Sequence, residues 1–317
     1  MQTKDYVLGI DTSNYTTSVA VVREDGEIIH DLRKALIVKQ GEKGLRQSDA
    51  LFQHVEALPE LIEKAVRGTG GHFKAVAVSA RPRPVDSSYM PVFKAGENFA
   101  MVISHALNIP AFTFSHQEGH IEAVKAYSSL KDKERFLCYH LSGGTCELLK
   151  IDGNTTDIIG GTKDISFGQV LDRLGVLLGM DFPCGAEFDQ IALNAVGQSN
   201  ILKDIHLDGL QINLSGLETQ ASKIIKSGPA ISERGALIKE IFNKIGNSLI
   251  TLTEKAVFQT GLRDVLFTGG VSSSKFLYNM THTHFNGSDV NIEFGKQHLS
   301  SDNAVGTALL GRREIWQ

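Results

Sequence analysis

The sequence lacks any apolar run approaching the roughly 20 residues of a membrane-spanning helix, which excludes a helical membrane protein. It lacks a disulfide framework as well. Cys138, Cys146 and Cys184 are three cysteines, an odd number with no metal-type spacing, so a reduced compartment is expected. A strong charge of one sign is missing: 32 Lys and Arg stand against 36 Asp and Glu, a net charge of −4. No basic field draws the whole molecule to nucleic acid or anionic lipid. The segment Met1-Gln2-Thr3-Lys4-Asp5 enters a strand-like run with no signal-type apolar stretch, so the expectation is a cytoplasmic protein with no membrane partner. What is present is ordinary globular composition, 42% hydrophobic and 21% charged over 317 residues, enough for one large core or two domains.

Periodicity places strands at Tyr6 to Asp11 and Thr16 to Val22, joined by the polar turn Thr12-Ser13-Asn14-Tyr15. The hairpin signal Asp25-Gly26 follows, then a third strand from Glu27. A helix is predicted over Ser48 to Arg67 with Leu51, Val55, Leu58, Ile62 and Ala65 as its apolar stripe, kinked or broken at Pro59. Ala75 to Ser79 reads as a strand, Phe93 to Leu107 as a helix and Pro110 to Phe114 as a strand. After the polar stretch Ser128 to Arg135 the opening order returns. Phe136 to Leu141, the turn Ser142-Gly143-Gly144, Thr145 to Ile151, Asp152-Gly153 and Thr156 to Ile159 repeat strand, small turn, strand, Asp-Gly, strand about 130 residues on. The repeat predicts two similar α/β halves. Further on, helices are expected over Phe167 to Leu178, Asp189 to Ala195, Glu233 to Thr260, Val271 to Met280 and Ala304 to Arg313. Asn213-Leu214-Ser215-Gly216-Leu217 reads as a loop or bulge.

The segment His116-Gln117-Glu118-Gly119-His120 carries the sharpest chemical signal. Histidines four residues apart lie about 40° apart on a helix, so both imidazoles can reach one metal ion. Glu118 sits about 200° round from His116, poorly placed to serve as a general base. The bland alternative is a surface helix with two solvated histidines. Asp302 is a candidate third ligand, since a carboxylate with two histidines suits iron(II) or zinc. It is also a candidate helix N-cap. Asp11 ends the first strand, where it can position a metal-bound water or a phosphate, or cap the turn.

Three glycine turns, Ser142-Gly143-Gly144, Pro183-Cys184-Gly185 and Gly269-Gly270, can bring backbone N–H groups close to a phosphate or a base. Gly269-Gly270 follows a strand and opens a helix, a placement suited to an anion. Asp172 and Asp189 flank the middle turn and can accept hydrogen bonds from a ribose.

Together these residues resemble the TsaD family, the threonylcarbamoyl transferases of tRNA adenosine formerly known as glycoproteases. Leu8-Gly9-Ile10-Asp11-Thr12-Ser13 is similar to the family's opening G-I-[ED]-T-S, and His116 to His120 to its H-x-E-G-H. Leu141-Ser142-Gly143-Gly144 is similar to V-S-G-G and Leu214-Ser215-Gly216-Leu217 to F-S-G-L. Thr268-Gly269-Gly270-Val271-Ser272 and Ser301-Asp302-Asn303-Ala304 are similar to the last two motifs.

The resemblance implies an α/β fold of the actin-like, hexokinase and Hsp70 ATPase type, two duplicated RNase H-like lobes around a nucleotide cleft. The lobes expected are 1–130, completed by the C-terminal helix 302–317, and 131–301. It implies one divalent metal, iron or zinc, on His116, His120 and Asp302, with Asp11 as the remaining catalytic acid. It implies ATP or an adenylate at Leu141, Ser142, Gly143, Gly144, Asp172, Gly185, Asp189, Gly269, Gly270 and Ser274. The reaction implied is transfer of a carbamoyl group from a threonylcarbamoyl-adenylate to N6 of an adenosine in tRNA, with other subunits of a tRNA-modification complex as candidate partners.

The departures are local. Asn14-Tyr15-Thr16-Thr17 stands where the family has C-D-E-T, so two acids are absent. Thr145 replaces the histidine of V-S-G-G-H, and Ser274 the asparagine of G-G-V-x-x-N. Arg83-Pro84-Val85-Asp86-Ser87-Ser88-Tyr89 replaces a glycine-rich loop. Pro84 removes a backbone donor there, and Arg83 is a candidate for a charge-assisted contact to an anion. The absent acids leave a second reading open, a nucleotide-binding, non-catalytic partner of the same fold. A metalloprotease is the third, weakened by the position of Glu118.

Overall fold

The structure is a computed structural model that describes residues 4–13, 15–38, 44–85, 87–153, 155–197, 199–228 and 231–316. Expectations that touch residues 1–3, Asn14, Asp86 and Gln317 lie outside the described residues. The first strand, β1 (Asp5–Asp11), is buried from Tyr6 onward rather than alternating, the mark of a strand covered on both faces. It pairs antiparallel with β2 (Thr16–Arg23), which pairs antiparallel with β3 (Ile28–Ala35). Helix α1 (Gln47–Arg67) then leads to β4 (His72–Arg81), and α2 (Phe93–Leu107) to β5 (Ala111–Ser115). Both later strands run parallel to β1, which requires such crossover helices. The sheet order is β3-β2-β1-β4-β5, and α3 (His116–Lys125) follows β5 without a gap.

The second sheet begins with β6 (Arg135–Leu141), β7 (Cys146–Asp152) and β8 (Thr155–Thr162), again an antiparallel trio. Next come α4 (Phe167–Leu177), α5 (Gly185–Asn194), the short strands β9 (Leu207–Asp208) and β10 (Gln211–Ile212), α6 (Ser215–Lys226) and α7 (Ile231–Thr260). β11 (Asp264–Thr268), a 3-10 turn at Gly270–Ser273, α8 (Lys275–Phe285) and β12 (Asn291–Phe294) complete this part. The order β12-β11-β6-β7-β8-β10-β9 contains the first sheet's arrangement, three antiparallel strands flanked by two parallel ones. The chain ends with α9 (Gln297–Ser300) and α10 (Val305–Trp316).

Contacts divide the chain into two units. One holds Met1–Val38, Gly44–Tyr127 and His298–Gln317, the other Ser128–Gln297. In the first unit Tyr6, Leu8 and Ile10 pack with Leu58, Leu61 and Ala100 on one face of the sheet, under α1 and α2. On the other face Val7, Ala75 and Ala77 pack with Val305, Ala308 and Leu309 of α10. Each fully buried valine or leucine there contributes about 1.5–3 kcal/mol. In the second unit α7 lies along the core through Leu237, Ile241, Ile245, Leu249 and Leu252. No helix among the described residues is long and apolar enough to cross a membrane.

Three local expectations are corrected. α1 is one unbroken helix although it contains Pro59. Pro59 and Val55, whose carbonyl it leaves unpaired, both lie on the exposed side, where water can satisfy that carbonyl. The buried stripe of α1 accordingly runs through Ala50, His54, Ala57, Leu58, Leu61 and Ala65, with Val55 outside it. Ser215 opens a helix rather than a loop. Its N-terminal donors, Leu214 N and Ser215 N, reach the Asp164 carboxylate at 2.9 and 3.0 Å, so the cap comes from about 50 residues away. After Gly269-Gly270 the α-helix begins only at Lys275, behind the 3-10 turn.

Candidate metal centre

His116 is the first residue of α3 and His120 lies one turn on. Ser115 and Glu118 form a capping box that fixes this start: Glu118 N donates to Ser115 Oγ at 3.2 Å, and Ser115 N to Glu118 Oε2 at 2.7 Å. Glu118 is therefore engaged at the helix end and is not available as a base. Within the first unit α3 crosses α10 at glycine. A Cβ on Gly306 would sit 1.8 Å from the Gly119 carbonyl oxygen, and one on Gly119 would sit 2.9 Å from Thr307 Oγ1. The glycine of the H-x-E-G-H segment thus permits the approach that brings Asp302 to the histidines.

Asp302 reaches them because its neighbour does the capping. Asn303 Oδ1 accepts from Val305 N at 2.9 Å, while Asn303 Nδ2 donates to the carbonyls of Leu299 and Ser301 at 2.9 and 2.8 Å. The Asp302 carboxylate is left to the imidazoles, with Oδ1 at 3.3 Å from His120 Nε2 and 3.5 Å from His116 Nε2. The two Nε2 atoms are 2.9 Å apart. Three ligands bonded to one ion at about 2.1 Å have edges of about 3.0 Å at right angles and about 3.4 Å at tetrahedral angles. The observed triangle fits that donor set, a hard carboxylate oxygen with two imidazoles.

Behind the triangle, Asp11 Oδ2 lies 2.8 Å from His116 Nδ1. Its Oδ1 accepts from Ser13 N at 2.8 Å and from the Ser13 hydroxyl. Asp11 is fully buried, so its place is behind His116, orienting that ring and directing Nε2 forward. Ser79 also bonds Asp11, and Ser79 Oγ lies 3.0 Å from Thr307 Oγ1. These two buried hydroxyls carry no motif signal in the sequence. Only their position beside Asp11 in the folded sheet distinguishes them.

The charges are arranged for a cation. Burial pushes the Asp302 carboxyl up, but the two imidazoles outweigh it and hold it well below the usual carboxylate range. Burial and the charge on His116 push His120 down, so it is neutral. Burial would also lower His116, but the Asp11 and Asp302 carboxylates raise it to about 10. A metal must displace that proton. Apparent affinity for Zn²⁺ is therefore expected to rise about tenfold per pH unit between pH 7 and 9, as competition with a chromophoric chelator would show. The sign for stability follows from a folded pKa above 6.5. The metal-free protein keeps this contribution below pH 6.5 and loses it as pH climbs toward about 10, whereas the metal-loaded protein does not.

The nucleotide candidates all lie in the second unit. Leu141 ends β6 and Ser142-Gly143-Gly144 forms the turn to β7, with Thr145 N donating to Ser142 Oγ at 3.0 Å. Gly269, at φ +93, abuts this turn, since its Cβ would fall 2.4 Å from the Leu141 carbonyl oxygen. Gly143, Gly144, Gly185 and Gly270 have open space where a Cβ would project. Asp172 accepts from Cys184 N at 2.8 Å, holding the loop before Gly185, which opens α5. Asp189 and Ser274 meet: Ser274 Oγ donates to Asp189 Oδ1 at 2.5 Å, and Lys275 N to Oδ2 at 3.0 Å, so the pair caps α8. Arg83 N donates to Ser88 Oγ at 3.1 Å within its loop.

The family model described as TsaD, tRNA N6-adenosine threonylcarbamoyltransferase, matches residues 32–309. The chain is 28% identical over 306 residues to the tRNA N6-adenosine threonylcarbamoyltransferase of Neorickettsia sennetsu, covering 94% of this chain and 90% of that protein. It is also 28% identical over 312 residues to a protein of that name from Thermus thermophilus, covering 97% and 92%. Among solved structures it is similar to full-length HypF in the phosphate- and nucleotide-bound form. That likeness has a TM-score of 0.62 at 12% identity and covers 100% of this chain and 47% of that one. At that identity it bears on the fold alone, which is the duplicated ATPase type expected from the resemblance.

Proposed function

The chain belongs to the TsaD family, and from that premise we propose that it is a transferase forming N6-threonylcarbamoyladenosine in tRNA. The observation that carries the proposal is the triangle of His116 Nε2, His120 Nε2 and Asp302 Oδ1 with Asp11 behind it. His116, His120 and Asp302 would hold one divalent ion, iron or zinc, which when bound supplies Lewis acidity toward a carbamoyl or phosphate oxygen. Asp11 acts through His116: it accepts a hydrogen bond from Nδ1–H and so leaves Nε2 to ligate. Burial pushes the Asp11 carboxyl up, but His116 outweighs it and holds the carboxyl below its usual range, and the Ser13 and Ser79 hydroxyls add to this.

ATP or the adenylate would lie against the second unit, with its phosphates at the backbone of Ser142-Gly143-Gly144 and Gly270, where nothing within 4 Å fills the Cβ positions of the glycines. Asp172 and Gly185 would line that site, while Asp189 and Ser274 shape it by fixing the start of α8. Cytoplasmic tRNA is the substrate proposed, with further subunits of a modification complex as partners. The engaged Glu118 supports no protease chemistry.

The absent acids after Ser13 favour one other reading, a nucleotide-binding partner without activity of its own. One experiment separates the two. In a strain lacking its ordinary transferase, with partner subunits supplied, expression of this chain is expected to restore the modified nucleoside in digests of bulk tRNA. Nucleoside profiles unchanged from the empty vector, alongside tight ATP binding by the purified protein, would establish the partner reading instead.

A further inference from the structure

We propose that Arg33 is a positioning residue for the metal centre, clamping the segment that delivers Asp302. Arg33 lies on the edge strand β3 and is itself held by Asp31, through Nε to Oδ1 at 2.8 Å and Nη2 to Oδ2 at 2.6 Å. This fork leaves the remaining donors aimed away from β3. Nη1 donates to Ser301 Oγ at 2.9 Å, and Nη2 also reaches the His298 carbonyl. The guanidinium thus grips both ends of the four residues that precede Asp302. Asn303 ties the same turn from inside through the Leu299 and Ser301 carbonyls, so Ser301 is fixed by its carbonyl from one side and by its hydroxyl from the other.

The sheet register links this clamp to the far side of the centre. Arg33 stands opposite Ser18, and Ser18 opposite Asp11. Cross-strand partners share a face, so one row of the sheet carries Arg33, Ser18 and Asp11 side by side. Asp11 aims His116 at one end of the row, and Arg33 holds the approach to Asp302 at the other. Ser18 is fully buried between them, and its hydroxyl has no hydrogen-bond partner among the described residues. Two buried polar side chains, Asp11 and Ser18, in one row are costly to a packed core; here they lie beside the residues that set the donor triangle. A lysine would replace Arg33 only in part, because a single ammonium cannot keep the Asp31 fork while reaching both Ser301 and His298.

The inference rests on the metal reading above, and its test separates the two. Zn²⁺ alone is titrated into the natural chain and into Arg33→Ala, Arg33→Lys and Ser301→Ala against a chromophoric chelator, with melting of each metal-free form followed by circular dichroism. Arg33→Ala is expected to weaken Zn²⁺ binding about 10–100-fold, the range for loss of a group that orients a ligand. Arg33→Lys should recover part of this, and Ser301→Ala should show a smaller loss at unchanged melting temperature. Zn²⁺ affinity in Arg33→Ala equal to that of the natural chain overturns the inference. So does an unfolded Arg33→Ala accompanied by Ser301→Ala that binds normally. A natural chain that takes up no Zn²⁺ fails at the earlier step, overturning the metal reading and the clamp with it.

Discussion

Asp302→Asn is expected to leave a folded protein that no longer holds metal and no longer modifies tRNA. The substitution keeps size and hydrogen-bonding capacity but removes the negative charge and the anionic donor. Removing a group that merely orients a ligand costs up to about 100-fold in affinity, and loss of the ligand itself should exceed that. The imidazoles alone supply no negative charge, and the Asp11 carboxylate beside His116 favours its protonated form, which cannot ligate. Metal per chain after purification, read by plasma mass spectrometry, should fall to background. Modified nucleoside from the complemented strain should fall with it. Full metal occupancy in Asp302→Asn would mean that the triangle is not the binding site.

A second large effect is expected at Gly306. Its absent side chain lets α10 touch α3, and a Cβ there would lie 1.8 Å from Gly119 O and 2.7 Å from Ala123 N. Both are backbone atoms inside a helix, so no side chain can rotate away to make room. The helices must separate. Gly306→Ala should therefore cost about 3 kcal/mol or more, at or beyond the upper end for overpacking. At roughly 2–4 °C per kcal/mol the melting temperature should drop by roughly 6–12 °C. Metal affinity should drop as well, because α3 carries both histidines and the turn into α10 carries Asp302. Gly70→Ala is the control: nothing lies within 4 Å of its Cβ position, so melting should not fall. Equal melting temperatures for the two variants would show that the α3–α10 crossing is not tight.

Much of the fold was legible because its signals are local. The period-2 and 3.6-residue patterns locate β1, β2, α2 and α7 within a residue or two, and the Asp-Gly turns announce both antiparallel trios. What failed locally failed for identifiable reasons. Helix α6 has no capping residue beside it, because its cap is Asp164, reached only when β8 and β10 pair. In α1, Leu51, Leu58, Ile62 and Ala65 of the expected stripe pack on the core, and only Val55 falls on the solvent side, near Pro59, where a missing backbone hydrogen bond is tolerated.

The candidate site divides along the same line. The sequence by itself determined that His116 and His120 share a helix face, that Glu118 turns away from them and that a glycine lies between them. These follow from the pitch of a single helix. Only the tertiary structure decided that Asp302, 182 residues from His120, meets the pair. It does so because Gly306 lets α10 approach α3 and because Asn303 takes over the helix cap. Only the sheet decided that Asp11 stands behind His116, and that Arg33 and Ser18 continue its row toward the Asp302 segment. Spacing along the chain sets which side chains share an element; strand register and helix crossing set which elements meet. A donor triangle with edges of 2.9–3.5 Å depends on the second kind of information, since a shift of one residue turns a helical side chain by about 100° and a strand side chain to the opposite face.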